Sequence, residues 1–72
     1  MTADNLENFY KEHLEEDIIF CFGKRNNLSN EEAMKIYYSS ELADKIHEGI
    51  YGLQYLDYKV LTDILESETA GN

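Results

Sequence analysis

Apolar side chains recur every four residues along the first third of the chain: Leu6, Tyr10, Leu14, Ile18 and Phe22, with Cys21 beside them. A helix turns once in 3.6 residues, so this spacing draws one slowly drifting stripe on a helical surface. Lys11, Glu12, Glu15 and Glu16 fall mostly off it. The pattern predicts a helix over residues 4–22. Its end, DIIFCF, is apolar all round and rich in β-formers, and read alone it could be a buried strand. No second strand-like run exists to pair with it, so a helical turn covered on all sides fits better. Gly23 then reads as the C′ glycine, with Lys24 and Arg25 near the negative helix end.

KRNN reads as a loop, and LSNEEAM is the clearest local signal. Ser29 as N-cap with Glu32 at N3 forms an S-x-x-E capping box, and Glu31 adds charge suited to a first turn. The second helix should carry Ala33, Met34, Ile36, Tyr37 and Tyr38. Ser39 and Ser40 interrupt the pattern. Either could cap a third short helix, ELADKIHE, with Leu42, Ala43 and Ile46 apolar and Gly49 at its end. The two could also run on as one bent helix.

The closing segment carries two apolar faces over residues 52–67. At 100° per residue, Leu53, Leu56, Val60 and Ile64 cluster in one direction. Tyr51, Tyr55, Tyr58 and Thr62 cluster almost opposite, with Leu65 nearby. One small core cannot take both faces. The aliphatic face is expected inside, because it has no hydroxyl to satisfy. The row Tyr51, Tyr55 and Tyr58 would then be left outward as a docking surface, since tyrosine suits interfaces. Two alternatives stand beside this. Asp57 could cap a helix that begins there, leaving Tyr51 and Tyr55 in a connection folded over the core. The rings could also be half-buried with their hydroxyls exposed.

The expected fold is all-α: a single small domain of three to four short helices over residues 1–68, with a frayed polar tail at 69–72. The expected core is Leu14, Ile18, Phe22, Ile36, Leu42, Ile46, Leu53, Leu56, Val60, Leu61 and Ile64. The absence of proline suits helices joined by short turns.

With 72 residues the chain has room for one small domain. Its single cysteine, Cys21, permits no internal disulfide, which favours a reducing compartment. No run approaches the roughly 20 apolar residues of a membrane span, and the first residues lack a signal-peptide pattern. A cytoplasmic location is the expectation.

Fifteen acids against six bases give a formal net charge of −9. That balance argues against direct nucleic-acid binding and against anionic membranes. It would favour a basic protein partner, or simply keep the chain soluble.

Candidate chemistry is sparse. His13 and Asp17 are spaced i, i+4, as are Glu12 and Glu16, but a metal site needs three or four convergent ligands. Cys21 with His13 or His47 could be imagined as nucleophile and base. Inside IIFCF, however, the thiol reads as a small buried hydrophobe. No glycine-rich phosphate loop occurs. The expectation is a non-enzymatic protein without metal or cofactor.

From about residue 18 to 66 the order of features comprises IIFCF, a short basic loop, LSNEEA, the pair Tyr37-Tyr38, a tyrosine-leucine segment and TDIL. This order resembles a family of small all-helical bacterial domains of unknown function, often encoded beside toxin-like proteins of the ADP-ribosyltransferase type. The family pattern favours a histidine after the leucine, where this chain has Leu53-Gln54-Tyr55. The resemblance implies a non-enzymatic partner protein of antitoxin-like or regulatory kind. The leading functional expectation is accordingly a protein-interaction module that uses Tyr51, Tyr55 and Tyr58 with flanking acids. The alternatives are an acidic mimic of DNA that blocks a nucleic-acid-binding protein, and a structural homodimer.

Overall fold

A computed structural model describes residues 3–70, with side chains defined for residues 9–50 and 52–70. The order is α1 (Ala3–Asn26), α2 (Asn30–Tyr38), α3 (Glu41–Glu48), a 3₁₀ helix (Ile50–Tyr55) and α4 (Tyr58–Ala70). The fold is an all-α single small domain, with no strand among the described residues. None of these helices is long and apolar enough to cross a membrane.

Local chemistry places most of the boundaries. The Ser29 hydroxyl accepts from the Glu32 N–H at 3.1 Å, and the Glu32 carboxylate accepts from the Ser29 N–H at 3.1 Å. The capping box is therefore closed in both directions. Ser40, rather than Ser39, caps α3: its hydroxyl accepts from the Ala43 N–H at 3.2 Å. This break separates α2 from α3 instead of bending one helix. Gly49 ends α3 at φ +73°, a conformation that an L side chain resists.

Two expected boundaries move. Helix α1 passes through Gly23 and stops at Asn26. Asn27 takes the left-handed position at φ +56°, and the Leu28 N–H donates to the Gly23 carbonyl at 2.8 Å, closing a Schellman-type end. Asparagine tolerates that conformation. Gly23 has a different use: a Cβ there would lie 3.3 Å from the Ala33 Cβ, so the missing side chain lets α1 and α2 pack closely.

The closing segment is not one helix. Gly52 adopts φ +65°, the 3₁₀ helix stops at Tyr55, and Asp57 caps α4 by accepting from the Lys59 N–H at 2.8 Å. Helix α4 then includes residues 69 and 70, where a frayed tail was expected.

The core is built from Leu14, Ile18, Ile19 and Phe22 of α1, Ala33 and Tyr37 of α2, Leu42, Ala43 and Ile46 of α3, and Leu61 and Leu65 of α4. Leu28, Ile36, Leu53 and Tyr58 pack against it half-buried. The expected aliphatic face of the closing segment is corrected. Leu56, Val60 and Ile64 are 41%, 45% and 38% exposed, while Leu61, Thr62 and Leu65 point inward.

Polar contacts set that rotation. Arg25 of α1 pairs with both Asp63 and Glu66, and the Asn26 amide donates to Glu66 at 3.1 Å. Residues 63 and 66 therefore flank α1. At the far end, the Glu68 carboxylate accepts from the Glu41 N–H at 2.7 Å and the Leu42 N–H at 3.2 Å. A carboxylate on the first turn of α3 satisfies orphan donors and suits the helix dipole. In the rotation these contacts accompany, Leu61, Thr62 and Leu65 face the core, with Tyr58 packed half-buried beside them.

Candidate functional site

A 24-residue helix is about 36 Å long, whereas the 13 residues of α4 span about 20 Å. Helix α1 is the longer of the two, and the segment before α4 meets it. There Tyr10 of α1 meets Tyr55 of the 3₁₀ helix, with ring centroids 6.1 Å apart and planes inclined by 34°. Both rings stay open to solvent, at 47% and 66% exposure.

The two rings line a groove of about 330 Å³ with Asp17 of α1 and with Leu56, Asp57 and Tyr58. Asp57 spends Oδ1 on capping α4. Asp17 makes no hydrogen bond or ion pair among the described residues. Among the described residues no lysine or arginine lines the groove. Its one basic side chain, His13, stacks on Phe9 at 5.9 Å and lies 3.8 Å from Glu16.

The tyrosine row expected from the helical wheel is thus taken apart. Tyr55 is outward on the 3₁₀ helix, and Tyr58 is half-buried in the first turn of α4. The side chain of Tyr51 lies outside the described residues. The break at Asp57 abolishes the common helical face, because the 100° step does not carry through a residue in a cap conformation. The groove nonetheless gathers Tyr55 and Tyr58, and adds Tyr10 and Leu56, which the sequence reading placed on apolar stripes, and Asp17, which it had paired with His13.

A second polar cluster sits on the other flank of α1. The Tyr37 hydroxyl donates to Glu15 Oε2 at 2.7 Å, and His47 Nε2 lies 2.6 Å from the same oxygen. Glu15 is 5% exposed and Tyr37 is fully enclosed. Burial, then the bond to Glu15 and its charge, push the Tyr37 phenol far above its ordinary range. The neighbouring Tyr38 is pushed up as well, by desolvation and then by the charges of Glu15, Glu12 and Glu16. Lys11 donates to the His47 carbonyl at 3.2 Å and ties the end of α3 to α1. Both acid–base partners are occupied with each other and with a buried phenol, which marks the cluster as a structural tie.

Cys21 is half-buried on α1. Among the described residues no three His, Cys, Asp or Glu side chains converge as a metal site. Comparison of the chain with family models, curated proteins and solved structures returns no match.

Proposed function

We propose that the protein is a non-enzymatic interaction module that docks a protein partner through the surface formed by Tyr10, Tyr55 and Leu56. Val60 and Ile64 are further exposed apolar residues on α4. The observation that carries this reading is the exposure of large apolar side chains at one place where two elements meet. Tyr10 and Tyr55 meet each other yet remain wet, and Leu56, 41% exposed, lines the same groove. Isolated exposed apolar residues are ordinary on a small domain, but contiguous groups of them mark interaction surfaces. The tyrosines contribute apolar area with few torsions to order, which lowers the entropic cost of docking.

An antitoxin-like or regulatory role, as the resemblance implies, is one form such a module takes. A basic partner suits the net charge of −9. The acidic-decoy reading has less support, because a phosphate mimic needs carboxylates and has no use for a tyrosine–leucine surface.

The test uses the full chain. A partner identified by co-purification from the chain's own host is purified, and its affinity is measured for wild type, Tyr55→Ala and Met34→Ala. Met34 is 40% exposed on α2 and serves as the control. Tyr55→Ala should weaken the complex by at least about tenfold with unchanged circular dichroism, and Met34→Ala should bind as wild type. Salt should weaken the complex, but less steeply than it would that of a nucleic-acid mimic. Equal binding by wild type and Tyr55→Ala would overturn the proposal. So would a loss of affinity with salt as steep as that of a nucleic-acid mimic.

A further inference from the structure

The groove beside Tyr10 and Tyr55 has a composition that selects its occupant, and this inference rests on the interaction reading above. We infer that the groove is a seat for an arginine side chain of the partner protein. The guanidinium would lie against the face of Tyr55 or Tyr10 and between the carboxylates of Asp17 and Asp57.

Four observations lead there. The first is charge without compensation. Two carboxylates line a groove that holds no lysine or arginine among the described residues. Asp17 has no partner among the described residues, and the capping bond of Asp57 uses one oxygen and leaves Oδ2 free of bonds among them. The second is that no lysine or arginine side chain pairs with either carboxylate among the described residues. Arg25 is held by Asp63 and Glu66, Lys11 by the His47 carbonyl, and Lys59, the cation nearest Asp57 in sequence, meets it through its backbone N–H. The third is the tilt of 34° between the two phenol rings, which meet at 6.1 Å and leave ring surface facing the groove. An electron-rich ring face attracts a cation, and guanidinium most often, because its plane stacks on the ring while its edge forks toward a carboxylate. The fourth is the apolar lining from Leu14 and Leu56, which suits the three-methylene stem of arginine. Lysine shares the charge and the stem but lacks the planar stacking and the fork.

The probe is N-acetyl-arginine amide, titrated into the ¹⁵N-labelled full chain and followed by NMR. Two further probes separate the contributions: N-acetyl-citrulline amide, which has nearly the same shape without charge, and N-acetyl-lysine amide. The arginine probe should move the backbone resonances of Asp17, Tyr55 and Asp57 saturably. The lysine probe should bind more weakly, and the citrulline probe should leave those resonances in place. Asp17→Asn with Asp57→Asn should weaken arginine binding by about tenfold. Both asparagines preserve the fold, because Asp17 is exposed and asparagine caps helices as well as aspartate does.

Several results would overturn the assignment: no saturable shift, equal shifts with citrulline or lysine, or shifts as large on the acidic faces of α2 and α3. Shifts of the same three resonances that depend on protein concentration without probe would also overturn it, because the occupant would then be a second copy. The two proposals fail separately. A partner whose binding depends on Tyr55 but not on Asp17 or Asp57 leaves the interaction module standing and removes the arginine seat.

Discussion

Two tyrosines show how this small chain divides its aromatic residues. Tyr37 sits in the middle of the core, with no exposed surface and its hydroxyl on Glu15. Tyr55 sits at the end of a 3₁₀ helix, two-thirds exposed, with Tyr10 as its ring neighbour. Both have the same apolar ring to bury. The difference is a partner for the hydroxyl. A phenol enters a core at low cost only when its O–H is satisfied, and Glu15 supplies that acceptor from the opposite helix. Among the described residues Tyr55 engages no such acceptor, and its ring remains at the surface, where it can serve a second molecule.

The sharpest way to break this comparison is to remove each ring in turn. Tyr37→Ala should cost about 3–5 kcal/mol, because it opens a cavity and deprives Glu15 of a hydrogen bond. A small domain has little more than that in total, so urea titration followed by circular dichroism should find much of this variant unfolded. Tyr37→Phe isolates the hydroxyl. It keeps the ring and should cost about 1–3 kcal/mol, the penalty for an under-satisfied buried carboxylate. If Tyr37→Phe proves neutral, the bond to Glu15 is not what admits the ring to the core.

Much of the chain's middle was legible from its residues, and the reason is local. Ser29 with Glu32, Ser40 with Ala43, and Gly49 act within four residues of themselves, so the sequence marks the start of α2 and the end of α3, while the choice of Ser40 over Ser39 and over one bent helix came from the structure. The closing segment was not legible in this way. Val60 with Ile64 and Leu61 with Leu65 are both i, i+4 apolar pairs, and a helical wheel does not choose between them. The choice falls to Arg25 and to the first turn of α3, which hold α4 from residues far away in sequence. The wheel also ran through Asp57, although the alternative reading of that residue as a cap is the one observed. At Gly23 and Asn27 the two residues that favour left-handed backbone lay close together, and only the approach of Ala33 to α1 separates their uses. Of the candidate site, Tyr55 was visible as a leftover aromatic. Its neighbours Tyr10 and Asp17 were not, because they come from a helix more than thirty residues earlier.

Alkaline titration sharpens the same contrast without a mutation. The Tyr37 phenol is raised in the folded state, first by burial and then by Glu15. A raised group contributes stability that is whole below its unfolded value, near pH 10, and that declines as pH climbs beyond it, because the unfolded chain ionises first. Tyr37 alone should remove about 1.4 kcal/mol for each pH unit above about 10. Absorbance near 295 nm should show Tyr37 ionising only together with the loss of helical signal. Ionisation of Tyr37 in a chain that is still helical would contradict its sealed environment.

The smallest expected effect is the most informative about function. Tyr55→Ala removes a ring that is mostly in water and ends its tilted contact with Tyr10. Surface substitutions of this kind change stability by about 0.5 kcal/mol or less. In a domain of this size that is a melting shift of a few degrees at most. A drop comparable to that of Tyr37→Ala would mean that the ring clamps the 3₁₀ helix onto α1 and that the groove is part of the scaffold. A near-zero change separates the ring's presence from the fold's needs, because the chain then carries an aromatic side chain at a solvated junction without gaining stability from it. Any loss of partner binding in the same variant can then be assigned to the missing surface rather than to a loosened bundle.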